Sequence, residues 1–161
     1  MNLTPCVALS AFAVAFVVRA QSEIKVGDFD PPALDGLKGE IGCVAHHPDS
    51  VCDYVLGYVV NGSETIVVLE EFQRRLQSGE GLSLIVDVVK VPAEFAGTLR
   101  VLGCRYDGDE MRPMVAAVSP TGDSSDWVGP ADLVVLVDFA EMRLVSGDPQ
   151  SVECRSIIGH R

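Results

Sequence analysis

Short runs rich in Val, Ile, Leu and Thr, each closed by Gly, Pro, Asn or Asp, recur through most of this 161-residue chain and constrain its fold more than any other feature. β-Branched side chains suit a pleated surface, and the punctuating residues adopt turn geometries at low cost. The runs fall at 54–60, 65–69, 82–91, 98–106, 111–118, 133–139, 142–145 and 152–154. Asn61-Gly62 predicts a hairpin between the first two, and Asp107-Gly108-Asp109 a turn that pairs 98–106 with 111–118. The run at 133–139 is nearly all apolar and reads as a central strand buried on both faces. Between 70 and 77 the pattern changes. Leu69, Phe72 and Leu76 stand at helical spacing with Glu71, Arg74 and Arg75 on the other side, which predicts one short helix stopped by Gly79 and Gly81. The expected fold is mainly β, with α+β as the neighbouring class: an antiparallel sandwich or small barrel of about six or seven strands with that helix.

The N-terminus reads as a leader. A twelve-residue apolar run (7–18) follows a short polar start, and Val18-Arg19-Ala20 offers a small residue before a cut. A membrane-spanning helix needs about 20 apolar residues, so the run matches a signal peptide of residues 1–20 better than an anchor. Cysteine arithmetic points the same way. The precursor has five cysteines, and the cut removes Cys6 and leaves Cys43, Cys52, Cys104 and Cys154. Four cysteines in an exported chain read as two disulfides with three connectivities, among which proximity favours Cys43–Cys52 and hence Cys104–Cys154. After the leader, 21–40 lacks a sustained period and carries Asp30-Pro31-Pro32 and Asp35-Gly36, so it reads as an extended arm before a single β-rich domain at 41–161.

The charge limits the partners. The whole chain carries −11; loss of Arg19 leaves eleven basic residues against 23 acidic, or −12. Nucleic acid is disfavoured, because its phosphates need Lys and Arg to displace counterions, and so is an anionic membrane surface. No stable membrane insertion is expected once the leader is gone. A basic protein partner fits, since opposite charge speeds encounter. Arg in excess of Lys, with abundant Ala, Gly and Val, favours a bacterial source, hence the periplasm or the medium.

Residues with chemical potential are few. The segment from Cys43 to Cys52 holds His46, His47 and Asp49, with Asp53 beyond it; imidazole, thiolate and carboxylate are zinc ligands. The spacing matches no standard zinc motif, and export favours oxidation of the cysteines. A disulfide-pinned loop is therefore the reading adopted, with His46, His47 and Asp49 kept as candidate metal ligands. Asp107, Asp109 and Glu110, or Asp123 and Asp126, supply the hard oxygens calcium requires, but without the EF-hand pattern. Gly-x-Ser-x-Gly, His-Glu-x-x-His and phosphate-loop motifs are missing from the sequence. Asp87 and Asp138 sit inside apolar runs, where burial raises a carboxyl pKa. Asn61-Gly62-Ser63 has the form of a glycosylation sequon, which matters only in a eukaryote. Trp127, the sole tryptophan, follows an acidic loop.

These observations lead to an exported, non-catalytic binding protein that needs no cofactor. A sharper form is an acidic inhibitor or immunity-type protein against a basic envelope hydrolase, touching it through Asp107, Asp109, Glu110, Asp123, Asp126 and Trp127. The competing expectation is a metal-dependent or hydrolytic enzyme centred on His46 and His47.

Overall fold

The computed structural model describes residues 23–30, 33–34, 38–44, 52–61, 63–119 and 126–156. The segment read as a leader, the His46–His47–Asp49 segment and Asp123 lie outside the described residues.

Twelve strands occur among the described residues: β1 Phe29–Asp30, β2 Lys38–Val44, β3 Tyr54–Asn61, β4 Glu64–Arg75, β5 Gly81–Val91, β6 Leu99–Arg100, β7 Cys104–Tyr106, β8 Met114–Ala117, β9 Trp127–Val128, β10 Leu133–Asp138, β11 Arg143–Ser146 and β12 Val152–Arg155. Two single 3-10 turns, Ala93–Phe95 and Pro149–Ser151, are the helical elements among them. Every strand pairing is antiparallel. The sheets run β1-β5-β4-β3-β2, β11-β10-β8-β6 and β7-β12-β9. The protein is thus mainly β and disulfide-bonded, as the recurring runs predict.

The sheets stack in three layers, and strand alternation explains how. On β4, Val67 and Leu69 point one way and meet Val115, Ala117, Val135 and Val137 of the four-stranded sheet. That sheet's other face, with Met114, Ala116, Val134 and Leu136, packs on Val128, Val152 and the Cys104–Cys154 pair of the three-stranded sheet. The middle layer is covered on both sides, so β8 and the interior of β10 are buried at every position, and 133–138 is the central strand its composition implies. Ile66 and Val68 point to the far side of β4, where Ile85, Ile24 and Leu34 cover them.

Both disulfides sit at strand junctions. Cys43, near the end of β2, joins Cys52, just before β3, with Cα atoms 5.4 Å apart. Cys104 and Cys154 are directly opposed across the β7–β12 ladder with Cα atoms 3.9 Å apart. No helix among the described residues is long and apolar enough to cross a membrane.

Four sequence expectations need correction. The helix at 70–77 does not form: β4 continues to Arg75, pairing Glu70 with Ile85 and Phe72 with Ser83. Of the two register irregularities on the β4–β5 ladder, the one at Leu69/Glu70 skips Val86 of β5 and the one at Phe72/Arg74 skips Gln73 of β4, while Leu76 belongs to the hairpin turn closed by its N–H on the Glu80 carbonyl at 2.7 Å. Leu69 faces the core, Phe72 the other side of the strand and Leu76 lies in the turn, so their spacing of three and four marks no shared face. The run at 98–106 is two strands. Leu99–Arg100 pairs with β8, and after Gly103, at φ 76°, the chain crosses to pair β7 with β12. Positive φ suits glycine, and the Cys104–Cys154 bond holds the crossing. The Asp107-Gly108 turn forms, with φ of 49° and 82°, but it closes a bridge from Tyr106 to Asp109 rather than a hairpin to 111–118. Before Ile41, Phe29–Asp30 pairs with β5 and Lys38–Glu40 opens β2, so the segment read as an arm contributes an edge strand and part of a second.

Candidate binding face and acidic cleft

Two places concentrate polar chemistry. The first is the outer face of the three-stranded sheet. Along β12, Val152 and Cys154 point inward while Glu153 and Arg155 face solvent. Register sets Arg105 opposite Glu153 and Trp127 opposite Arg155, so side chains from three strands share one surface. The Arg105 guanidinium lies 4.1 Å from the centroid of the Trp127 ring and that of Arg155 5.2 Å away. Arg105 Nε donates to Glu153 Oε2 at 2.8 Å, and Arg155 Nη2 to Glu110 Oε2 at 3.3 Å. Beside them, Arg112 lies 4.7 Å from the Tyr106 ring. The two guanidiniums stacked on Trp127 are thus each also held by a carboxylate, which fixes long side chains that otherwise sample many rotamers.

Of the six residues singled out from sequence, Glu110, Asp126 and Trp127 lie at this face. Glu110 joins the face through Arg155, Trp127 is its centre, and the Asp126 carbonyl accepts the Ser156 N–H at 2.9 Å at its rim. Asp107 is anchored to the sheet by its N–H on the Ser151 carbonyl at 2.8 Å. Asp109 Oδ1 accepts the Met111 N–H at 2.8 Å, a turn-stabilising role. Among the described residues no group of three or more His, Cys, Asp or Glu is placed to hold a metal. Asp87 and Asp138 also serve structure. Asp87 Oδ2 accepts the Leu144 N–H at 2.6 Å, tying the first sheet to the second, and Asp138 Oδ1 accepts the Ala140 N–H at 3.0 Å at the β10–β11 turn.

The second place was not singled out from sequence. On the far side of the five-stranded sheet, register aligns Asp30 of β1 with Ser83 of β5 and Phe72 of β4, and puts Glu70 one row away beside Ile85 and Val55. A cleft of about 460 Å³ opens here, with Leu34, Ile41, Val55, Val59 and Phe72 as its apolar lining. Glu70 lines it while being only 3% exposed. Burial, chiefly, and then the charge of Asp30 push its carboxyl from the ordinary 4.5 up to about 7, against the Ser83 hydrogen bond that favours the ionised form. The signal lay in plain alternation: Ile66, Val68, Glu70 and Phe72 share one face of a strand, so the acid stands where a core residue is due. The helical reading of 70–77 hid it.

No family model, curated protein or solved structure matches this chain.

Proposed function

We propose that the chain is an exported, non-catalytic interaction protein whose contact surface is the outer face of the β7–β12–β9 sheet. The observation that carries this reading is Trp127 stacked by Arg105 and Arg155 on a sheet tied to the core by Cys104–Cys154. Tryptophan, arginine and tyrosine are the residue types that dominate interface energetics, and here they stand pre-ordered, which lowers the entropy lost on docking. The two disulfides favour an oxidising compartment, the periplasm or the medium.

The partner is a basic protein, in keeping with an inhibitor or immunity-type role against a cationic envelope hydrolase. The division of labour is physical. A net charge of −11 on the whole chain steers a basic partner from a distance. At short range the arginines are neutralised by Glu153 and Glu110, so the centre of the face offers stacking and hydrogen bonding rather than bare charge.

The test is affinity capture of the oxidised protein against envelope extract of the source organism, with wild type and Trp127→Ala side by side at low and high salt. One basic protein retained by wild type, weakened by salt and lost by the variant supports the proposal. Equal retention by both proteins, or none by either, sinks it.

A further inference from the structure

We propose that the cleft on the outer side of the five-stranded sheet is a binding site for a small organic ammonium ion with an apolar body, held by Glu70 and Asp30. This goes beyond the protein-contact function and uses a different surface.

Glu70 is costly where it stands. It occupies a strand position between Val68 and Phe72 where an apolar residue would pack without penalty, yet it is nine-tenths buried and lines an open cleft. A buried carboxyl kept at the wall of a cavity is a functional-site signature when other groups converge on it. Here they do. Ser83 gives it one hydrogen bond, and Asp30 on the adjoining edge strand adds a second negative charge. An ionised carboxylate accepts about four hydrogen bonds, so the serine leaves capacity for a donor from the cleft. The third charged group of the lining, Arg75, donates to the Gly79 carbonyl at 3.2 Å across the hairpin turn.

The volume, about 460 Å³, falls within the range of small-molecule sites, roughly 300–1,000 Å³. The remaining lining decides the ligand class. Calcium takes six to eight oxygens and magnesium a near-ideal octahedron, whereas this cleft offers two carboxylates and one hydroxyl against aliphatic and aromatic walls. An ammonium with three donors at one end and a hydrocarbon at the other satisfies both halves. Val55, Val59, Leu34, Ile41 and Phe72 receive the apolar body, and π-rich Phe72 adds attraction for the cation.

Benzylamine is the probe, titrated calorimetrically into the oxidised protein, with benzyl alcohol and calcium chloride as controls. The expected result is saturable benzylamine binding, at least tenfold weaker in Glu70→Gln and weaker again in Glu70→Gln/Asp30→Asn. Far-ultraviolet circular dichroism of each variant should match wild type. Lowering the pH from 8 to 6 should weaken binding about tenfold, because a carboxyl titrating near 7 passes from about nine-tenths to about one-tenth ionised. Asp30 and Arg75 are the other ionisable groups facing it from the described elements around the cleft; β2 and β3 contribute Gly39, Ile41, Val55 and Val59. Trp127→Ala should bind benzylamine as wild type does, which separates this site from the contact face. Benzyl alcohol binding equally well, calcium competing for the site, unchanged affinity in a folded Glu70→Gln, or no saturable signal would each overturn the proposal.

Discussion

Replacing Glu70 with Gln should make the protein more stable at neutral and alkaline pH and leave it nearly unchanged in acid. Glutamine keeps the shape of a protonated glutamate and cannot ionise, so the substitution isolates the cost of the charge. In the folded protein the carboxyl titrates near 7; unfolded, it returns to about 4.5. Its folded pKa is raised, so the folded state binds the extra proton between those values and the unfolded state does not. Stability is then fully present below pH 4.5, falls as pH rises, and levels off above about 7. At 1.36 kcal/mol per pH unit, that interval corresponds to a loss of about 3 kcal/mol in wild type. Glu70 is only 3% exposed, so solvent screening takes little from this figure. Urea denaturation of the oxidised protein from pH 4.5 to 8.5 should show the two proteins diverging steadily. With a urea dependence of about 2 kcal/mol per molar, the midpoints should separate by about 1.5 M at pH 8.5. Curves that stay parallel across the range would refute the reasoning, because Glu70 would then titrate alike in folded and unfolded chains.

Two further outcomes test the layered core. Replacing both Cys104 and Cys154 with Ser should cost more than replacing Cys43 and Cys52, since the loops they close span 50 and nine residues; chain entropy gives about 4 against about 2.7 kcal/mol, read from urea midpoints, and equal losses would contradict it. Asp87→Ala should destabilise by about 1–3 kcal/mol by orphaning the Leu144 N–H between two sheets, while Asp87→Asn, which keeps an acceptor oxygen, should lose clearly less.

Local chemistry made much of this fold legible. The Asn61-Gly62 pair in the sequence predicts a hairpin, and β3 and β4 do pair as neighbours in the register Asn61↔Glu64. Continuous apolar character marked 133–139 as a doubly covered strand, found as Leu133–Asp138, and nearest-neighbour pairing of the cysteines agrees with the bonds found. What stayed hidden depends on residues far apart in the chain. Glu70 becomes a buried acid only when β5 brings Ser83 and β1 brings Asp30 to its face. Trp127 gains Arg105 as a stacking partner only after the chain leaves the second sheet beyond β6 and pairs β7 with β12, a crossing that Gly103 permits but does not announce. Likewise, Leu69, Phe72 and Leu76 stand at helical spacing in the sequence although Leu69 turns to the core, Phe72 to the opposite side of the strand and Leu76 lies in the turn beyond it.

The most direct test of the contact-face account is amide hydrogen exchange on the complex with the captured basic protein, compared with the free oxidised chain. The account predicts added protection on 104–106, 127–128 and 152–155, with the segment around Asp30, Glu70 and Ser83 unchanged. Protection gathered instead around Asp30, Glu70 and Ser83, with the Trp127 face exchanging as in the free protein, would contradict it.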